Sequence, residues 1–196
     1  MKTANLFYCS LLICSTLVIQ TSVMEFINVE IKARCGDPAT IRQFLLKNGA
    51  EYKGLDRQTD TYFNTLNGRL KLREGNIENN LIWYERSNQA GPKDSYFRLV
   101  KTGDSAGLKE ALAKAMGVKV EVKKNREIYY IGNVKFHIDE VPGLGSFVEI
   151  EAGNKGAPDM SRDQLKEQCE YYLQQFSIRP EDLLEMSYSD MLLGEV

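Results

Sequence analysis

One histidine, His137, stands among 196 residues. That scarcity excludes a metal centre built on several imidazoles and leaves a single imidazole that could act as a general base. Cysteine is sparse as well. The four, at positions 9, 14, 35 and 169, contain no C-x-x-C spacing, which argues against structural zinc and against a disulfide-stapled scaffold. Neither sign of charge is in excess: 25 Lys+Arg against 27 Asp+Glu give −2. A general nucleic-acid binder needs a basic surplus, so no nucleic-acid partner is expected. No uninterrupted apolar run approaches the roughly 20 residues of a membrane span. The longest apolar stretch, Leu6 to Ile19, is broken by Cys9, Ser10, Cys14, Ser15 and Thr16. The 43% hydrophobic and 27% charged residues exclude wholesale disorder and fit an ordinary globular chain.

Residues 1–23 read apart from the rest. Lys2, a short apolar run and the polar end Gln20-Thr21-Ser22 follow the order of a signal peptide. Met24 offers a second reading, because it directly precedes the first strand-like segment and a domain starting there needs nothing upstream. A start at Met24, slightly favoured by the chemistry below, makes the protein cytoplasmic; a working leader makes it exported. Residues 24–196 read as one domain without internal repeats.

Period-2 segments separated by turn signals such as Asn67-Gly68, Gly132-Asn133 and Pro142-Gly143 predict strands near 26–34, 57–63, 69–74, 80–87, 95–101, 118–131 (expected to be bent or broken), 134–140 and 146–152. Helical spacing predicts helices over 37–48, 104–116 and 160–176. Asp37-Pro38 provides an N-cap and a first-turn proline. In 104–116 the expected core face is Leu108, Ala111, Leu112 and Ala115. Residues 181–185 are expected to add one more turn.

The strands have one apolar and one charged face. Asn28, Glu30, Lys32 and Arg34 oppose Ile27, Val29 and Ile31; Arg69, Lys71 and Arg73 oppose Leu70 and Leu72. Lys135, His137 and Asp139 oppose Val134, Phe136 and Ile138, and Glu149 and Glu151 oppose Val148 and Ile150. Tyr84 shares a face with Arg86, whereas Trp83 has the outward parity and is expected under a helix. Two arrangements fit. One is an open sheet with its charges in water. The other is an α+β fold in which about eight antiparallel strands close into a barrel, apolar side covered by helices and charges inside. Enclosed charges must pair with each other, a metal or an ionic ligand, and a polyphosphate with divalent cations would suit both signs.

Asn28-Val-Glu-Ile-Lys32, Asp60-Thr-Tyr-Phe63, Gly68-Arg-Leu-Lys-Leu-Arg-Glu74, Leu81-Ile-Trp-Tyr-Glu-Arg86, Gly91-Pro-Lys93, Lys124-Asn-Arg126, His137-Ile-Asp-Glu140, Leu144-Gly-Ser-Phe-Val-Glu-Ile-Glu151 and Ser187-Tyr-Ser-Asp-Met-Leu192 occur in the order and spacing of a known family. Over about 28–193 the chain resembles the CYTH superfamily, the triphosphate tunnel metalloenzymes, and most of all proteins labelled class IV adenylate cyclase. The resemblance implies a closed eight-stranded antiparallel tunnel. It implies a metal-dependent enzyme that either cyclises ATP to cyclic AMP and pyrophosphate or hydrolyses an organic or inorganic triphosphate. It makes Glu30, Asp139, Glu149 and Glu151 ligands for Mg²⁺ or Mn²⁺. It makes Lys32, Lys71, Arg73, Arg86, Lys124 and Arg126 the phosphate-binding set, with Lys135 secondary and Arg69 at the tunnel mouth. Burial lowers lysine basicity, and Lys32 is accordingly the candidate catalytic residue that helps activate water or a ribose hydroxyl. His137 is read as structural in preference to a general base. The implied partner is a triphosphate-bearing small molecule: ATP, tripolyphosphate or thiamine triphosphate. Oligomeric state is left open, a homodimer included. The family's Glu-x-Glu-x-Lys begins here with Asn28, and no His-Phe pair precedes it. A non-catalytic nucleotide or polyphosphate binder is therefore the alternative.

Overall fold

In a computed structural model that describes residues 27–86, 88–155 and 157–194 (Arg86 by its backbone alone), the strands close on themselves. They are β1 (Ile27–Arg34), β2 (Glu51–Phe63), β3 (Arg69–Glu74), β4 (Asn80–Arg86), β5 (Lys93–Lys101), β6 (Val118–Ile131), β7 (Val134–Val141) and β8 (Gly145–Gly153). The helices are α1 (Pro38–Lys47), α2 (Ser105–Met116), α3 (Arg162–Gln175) and α4 (Tyr188–Leu193). The 1–23 leader or extension lies outside the described residues. Among these, no helix is long and apolar enough to cross a membrane.

The ring runs β1-β5-β4-β3-β2-β6-β7-β8 and returns to β1, every neighbour antiparallel. Of the two arrangements that fit the sequence, the closed barrel is therefore the observed one. Short hairpins account for five of the eight seams; β1 joins distant partners on both sides, β5 and β8, and β2 pairs with the distant β6.

Outside the barrel, Val29, Ile31, Phe136, Val148 and Ile150 pack against Ile41 and Leu45 of α1 and Leu165 and Cys169 of α3. Burying aliphatic and aromatic side chains at about 25 cal/mol per Å² makes this layer the main stabilising term. Asp37 caps α1 through Oδ1, accepting from Ala39 and Thr40 at 3.1 Å, as the sequence predicts. Cys35 and Cys169 are buried free thiols.

At the Arg34 end, a second cluster of Tyr62, Tyr84, Val122, Val141, Phe147 and Tyr188 lies between the strands and α4. A strap after α3 brings α4 there. Leu183 bridges Ala33, and the Leu184 N–H donates to the Lys32 carbonyl at 2.9 Å. The fully buried Lys93 ammonium holds the strap by donating to the carbonyls of Gln89, Leu184 and Glu185 at 3.1–3.2 Å.

Four local expectations change. β2 starts at Glu51, six residues early, because a register shift between Tyr52 and Gly54 breaks its alternation. None of the four α2 residues expected in the core is buried; α2 lies against β2 and β3, and its Lys109 pairs with Glu121 of β6 at 2.6 Å. Trp83 lies over the β2–β3 turn, its indole N–H donating to the Asn67 carbonyl at 3.3 Å. Gly68, at φ 65°, leaves room for that ring: a Cβ there would sit 2.8 Å from the indole nitrogen. Finally, 181–185 forms only a 3-10 turn at Pro180–Asp182, and the added helix is α4, whose capping box joins Ser187 and Asp190.

Candidate active site

Strand register turns the charged faces of the sequence into one interior. β1 and β8 place Glu30 opposite Glu151 and Lys32 opposite Glu149. β7 and β8 place His137 opposite Glu149 and Lys135 opposite Glu151. All six line a central cavity of about 150 Å³, with Asp60, Lys71, Arg73, Lys124 and Arg126 on its far wall.

Glu149 is the hub of the near wall. Its Oε1 meets Lys32 Nζ at 2.8 Å, and its Oε2 meets Arg126 Nη2 at 2.8 Å and His137 Nδ1 at 3.2 Å. Burial opposes its charge, but Lys32 and Arg126 hold the carboxyl well below the ordinary range. Glu151 goes the other way: burial first, then Glu149, push it up to about 7, with Glu30 also raising it. His137 is fully buried. Burial, then Arg126 and Lys135, lower it to about 3, so the ring is neutral at physiological pH. The Glu149 carboxylate then assigns the proton to Nδ1, leaving Nε2 buried with no hydrogen-bond partner among the described residues.

The far wall is built on Asp60. Its oxygens accept from Lys71 Nζ at 2.9 Å, Lys124 Nζ at 2.7 Å, and Arg73 Nε and Nη2 at 2.8 and 3.0 Å. Glu78, from the β3–β4 loop, bridges Arg73 at 2.8 Å and Lys135 at 2.6 Å. That loop is capped by Asp56, which accepts from the N–H groups of Ile77 and Glu78. Despite burial, Asp60 is held well below the carboxylate range by Arg73, Lys124 and Lys71. Lys124 is pushed well below the lysine range by burial and then by Arg73 and Arg126, with Asp60 opposing. On this wall the cations Lys71, Arg73, Lys124 and Arg126 outnumber the carboxylates Asp60 and Glu78, and phosphate oxygens are the acceptors that Arg forks and Lys point charges match.

Of the sequence-predicted phosphate set, Lys32, Lys71, Arg73, Lys124 and Arg126 line this one cavity. The Arg86 side chain lies outside the described residues; its backbone ends β4 opposite Ser95. Lys135, held as secondary, lines the cavity as well. Arg69 is turned to α4, where Nη2 meets Asp190 at 3.0 Å. Of the predicted metal ligands, Glu149 and Glu151 form a cluster with His137, their ligand atoms within 4.8 Å of one another. Glu30 lines the same wall. Asp139 instead binds Arg126 through two short bonds, 2.7 and 2.6 Å, and accepts from the Tyr188 hydroxyl at 2.8 Å. Sequence reasoning missed Asp60, Glu78 and Tyr188 as interior partners. Asp60 and Tyr188 stand inside quoted motifs, but Glu78 carries no local signal.

The donor chemistry fits a hard divalent cation. Two carboxylates and an imidazole converge, and Glu30 adds a third carboxylate beside them; burial first, then the neighbouring carboxylates, raise Glu151.

The family model described as the CYTH domain matches residues 27–186. A Methanocaldococcus jannaschii protein, provisionally named an adenylate cyclase, is 27% identical over 184 residues, covering 84% of this chain and 98% of that protein. The fold is shared with the solved PH1012 protein of Pyrococcus horikoshii: TM-score 0.69, 22% identity, 83% of this chain and 98% of that one. It is shared too with a Vibrio parahaemolyticus protein likewise provisionally named an adenylate cyclase: TM-score 0.69, 19% identity, 85% and 98% coverage. With the motifs in order and the strands closed round their charged faces, this chain belongs to the CYTH family.

Proposed function

We propose that the protein is a divalent-metal-dependent enzyme acting on a triphosphate, either cyclising ATP or hydrolysing an organic or inorganic triphosphate. The observation that carries this reading is a barrel interior in which Lys71, Arg73, Lys124 and Arg126 face Glu30, Glu149 and Glu151. Such a cavity suits a polyanion bound with a cation. Lys32, Lys71, Arg73, Lys124 and Arg126, with Arg86, bind the phosphate chain and set its orientation. Glu30, Glu149 and Glu151 hold the Mg²⁺ or Mn²⁺, with His137 orienting Glu149 and Asp139 orienting Arg126. The ion would supply charge neutralisation to the phosphates. Attack by water on a terminal phosphorus releases phosphate. Attack by a ribose 3′-hydroxyl on the α-phosphorus releases pyrophosphate and closes the cyclic nucleotide. Lys32, paired to Glu149 at 2.8 Å, is positioned to handle the nucleophile's proton.

The test offers the protein ATP, tripolyphosphate and thiamine triphosphate with Mg²⁺ or Mn²⁺, reading phosphate, pyrophosphate and cyclic AMP together. A Glu149→Ala/Glu151→Ala protein is the control. Product lost in the control is expected. Tight binding without turnover in either metal would favour the second reading, a non-catalytic binder, which Asn28 at the head of the family motif supports.

A further inference from the structure

The charged lining does not run all the way round. Among the described residues of β4 and β5, those that line the cavity are Ile82, Tyr84, Ser95, Phe97 and Leu99. Four of these form two facing rungs, Ile82 opposite Leu99 and Tyr84 opposite Phe97. The first rung directly neighbours Lys71 on β3, which pairs with Ile82. So an apolar wall begins next to the cation set. It leads outward: Phe97 and Leu99 also line a wider cavity of about 830 Å³ at the open end, with Ile77 and Tyr130. Leu99 is left 45% exposed in that mouth.

The two volumes divide the work. The inner cavity, about 150 Å³, is smaller than the 300–1,000 Å³ common for whole organic ligands, whereas the outer one falls within it. Inorganic tripolyphosphate is charged along its full length and gains nothing from an aliphatic and aromatic wall. A flat organic group gains burial and ring contact there.

We infer that Ile82, Tyr84, Phe97 and Leu99 form a subsite for a flat heteroaromatic group attached to the triphosphate, which makes this chain selective for an organic triphosphate over tripolyphosphate. The inference rests on the triphosphate reading above and adds the substrate class to it. The phosphates lie inward among Lys71, Arg73, Lys124 and Arg126, and the organic group extends toward the mouth over Phe97 and Leu99.

Calorimetric titration of the full chain with Mg²⁺ separates the two claims. The probes are ATP, thiamine triphosphate and inorganic tripolyphosphate, on the native protein and on Phe97→Ser and Leu99→Ser. Leu99 is exposed enough for the second variant to keep its fold, checked by thermal melting. The native protein is expected to bind at least one organic triphosphate about tenfold or more tighter than tripolyphosphate. Each variant is expected to weaken that organic ligand about tenfold and leave tripolyphosphate unchanged. Tripolyphosphate bound as tightly as both organic probes, or variants that shift all probes alike or none, would overturn the subsite and leave the triphosphate reading standing. Absence of binding by every probe would overturn both.

Discussion

Replacing Glu151 by Gln tests how burial and the neighbouring carboxylates set the charge of this cluster. Glu151 is raised from 4.5 to about 7 by burial, Glu149 and Glu30. At 1.36 kcal/mol per tenfold change in proton affinity, holding it ionised costs ~3 kcal/mol. A fifth of the side chain remains exposed (20%), which reduces the expected cost to ~2 kcal/mol. The sign follows from linkage. Between about pH 4.5 and 7 the folded chain keeps a proton that the unfolded chain has lost, so stability falls as pH rises across that window. The amide cannot ionise. Glu151→Gln should therefore match the native protein below pH 4.5 and exceed it by ~2 kcal/mol above pH 7. For a chain of this size that is a rise of about 4–8 °C in melting temperature. The assay is urea unfolding from pH 4 to 8 in chelator, repeated with Mn²⁺. The ion should raise the native protein by RT ln(1 + [L]/Kd), about 2.7 kcal/mol at a hundredfold excess over Kd, and raise the variant less. A stability difference that stays flat with pH, or a variant less stable at pH 8, would refute the reasoning.

Other substitutions probe the remaining contacts. Asp60→Asn removes the counter-charge of Lys71, Arg73 and Lys124 and should cost ~3–5 kcal/mol in urea unfolding, part of it restored by tripolyphosphate; a loss under 1 kcal/mol would show that the wall reorganises. Lys32→Ala, which breaks the bond to Glu149, should lower kcat by at least about a hundredfold, a typical share for proton transfer, with a smaller change in substrate Kd. A pure affinity loss would remove Lys32 from the chemistry. Lys93→Met leaves the carbonyls of Gln89, Leu184 and Glu185 without this donor and should cost ~2–3 kcal/mol. It should also expose the bond after Tyr188 to chymotrypsin; unchanged cleavage would mean that the strap is held elsewhere.

Strands with strict alternation were legible because one face is apolar and the other formally charged. β1, β3, β7 and β8 were read to within a residue or two of their ends. The Asp37-Pro38 start of α1 was legible for a local reason, a cap and a proline in adjacent positions. What escaped depends on pairing between segments. Asp60 becomes the anchor of the far wall only because β2 and β3 place it opposite Arg73. Glu78 sits in a loop and reaches Arg73 and Lys135 through the Asp56 cap. α4 spans six residues, too few for a helical period to emerge. The apolar rungs of β4 and β5 look like ordinary core residues until closure turns them inward. The motif resemblance carried most of the cation set, but it could not show that Asp139 is bound up with Arg126 and Tyr188.

The double engagement of β1 sets the order in which this ring can be made. The strand that leaves the ribosome first among the eight has β8 as one of its two neighbours, so Lys32 cannot meet Glu149 until more than a hundred residues have followed. At roughly 5–20 residues per second, that is an interval of seconds in which the first strand lacks its closing partner. Throughout it, the cations and carboxylates of the future cavity stay hydrated. Their desolvation is deferred to a single late step, the docking of β8 along β1 under α3, and loop closure over so long a span makes that step slow. Nascent chains ending at residue 144 should accordingly remain protease-sensitive within β1, and chains extended past α3 should become resistant together with the rest of the barrel.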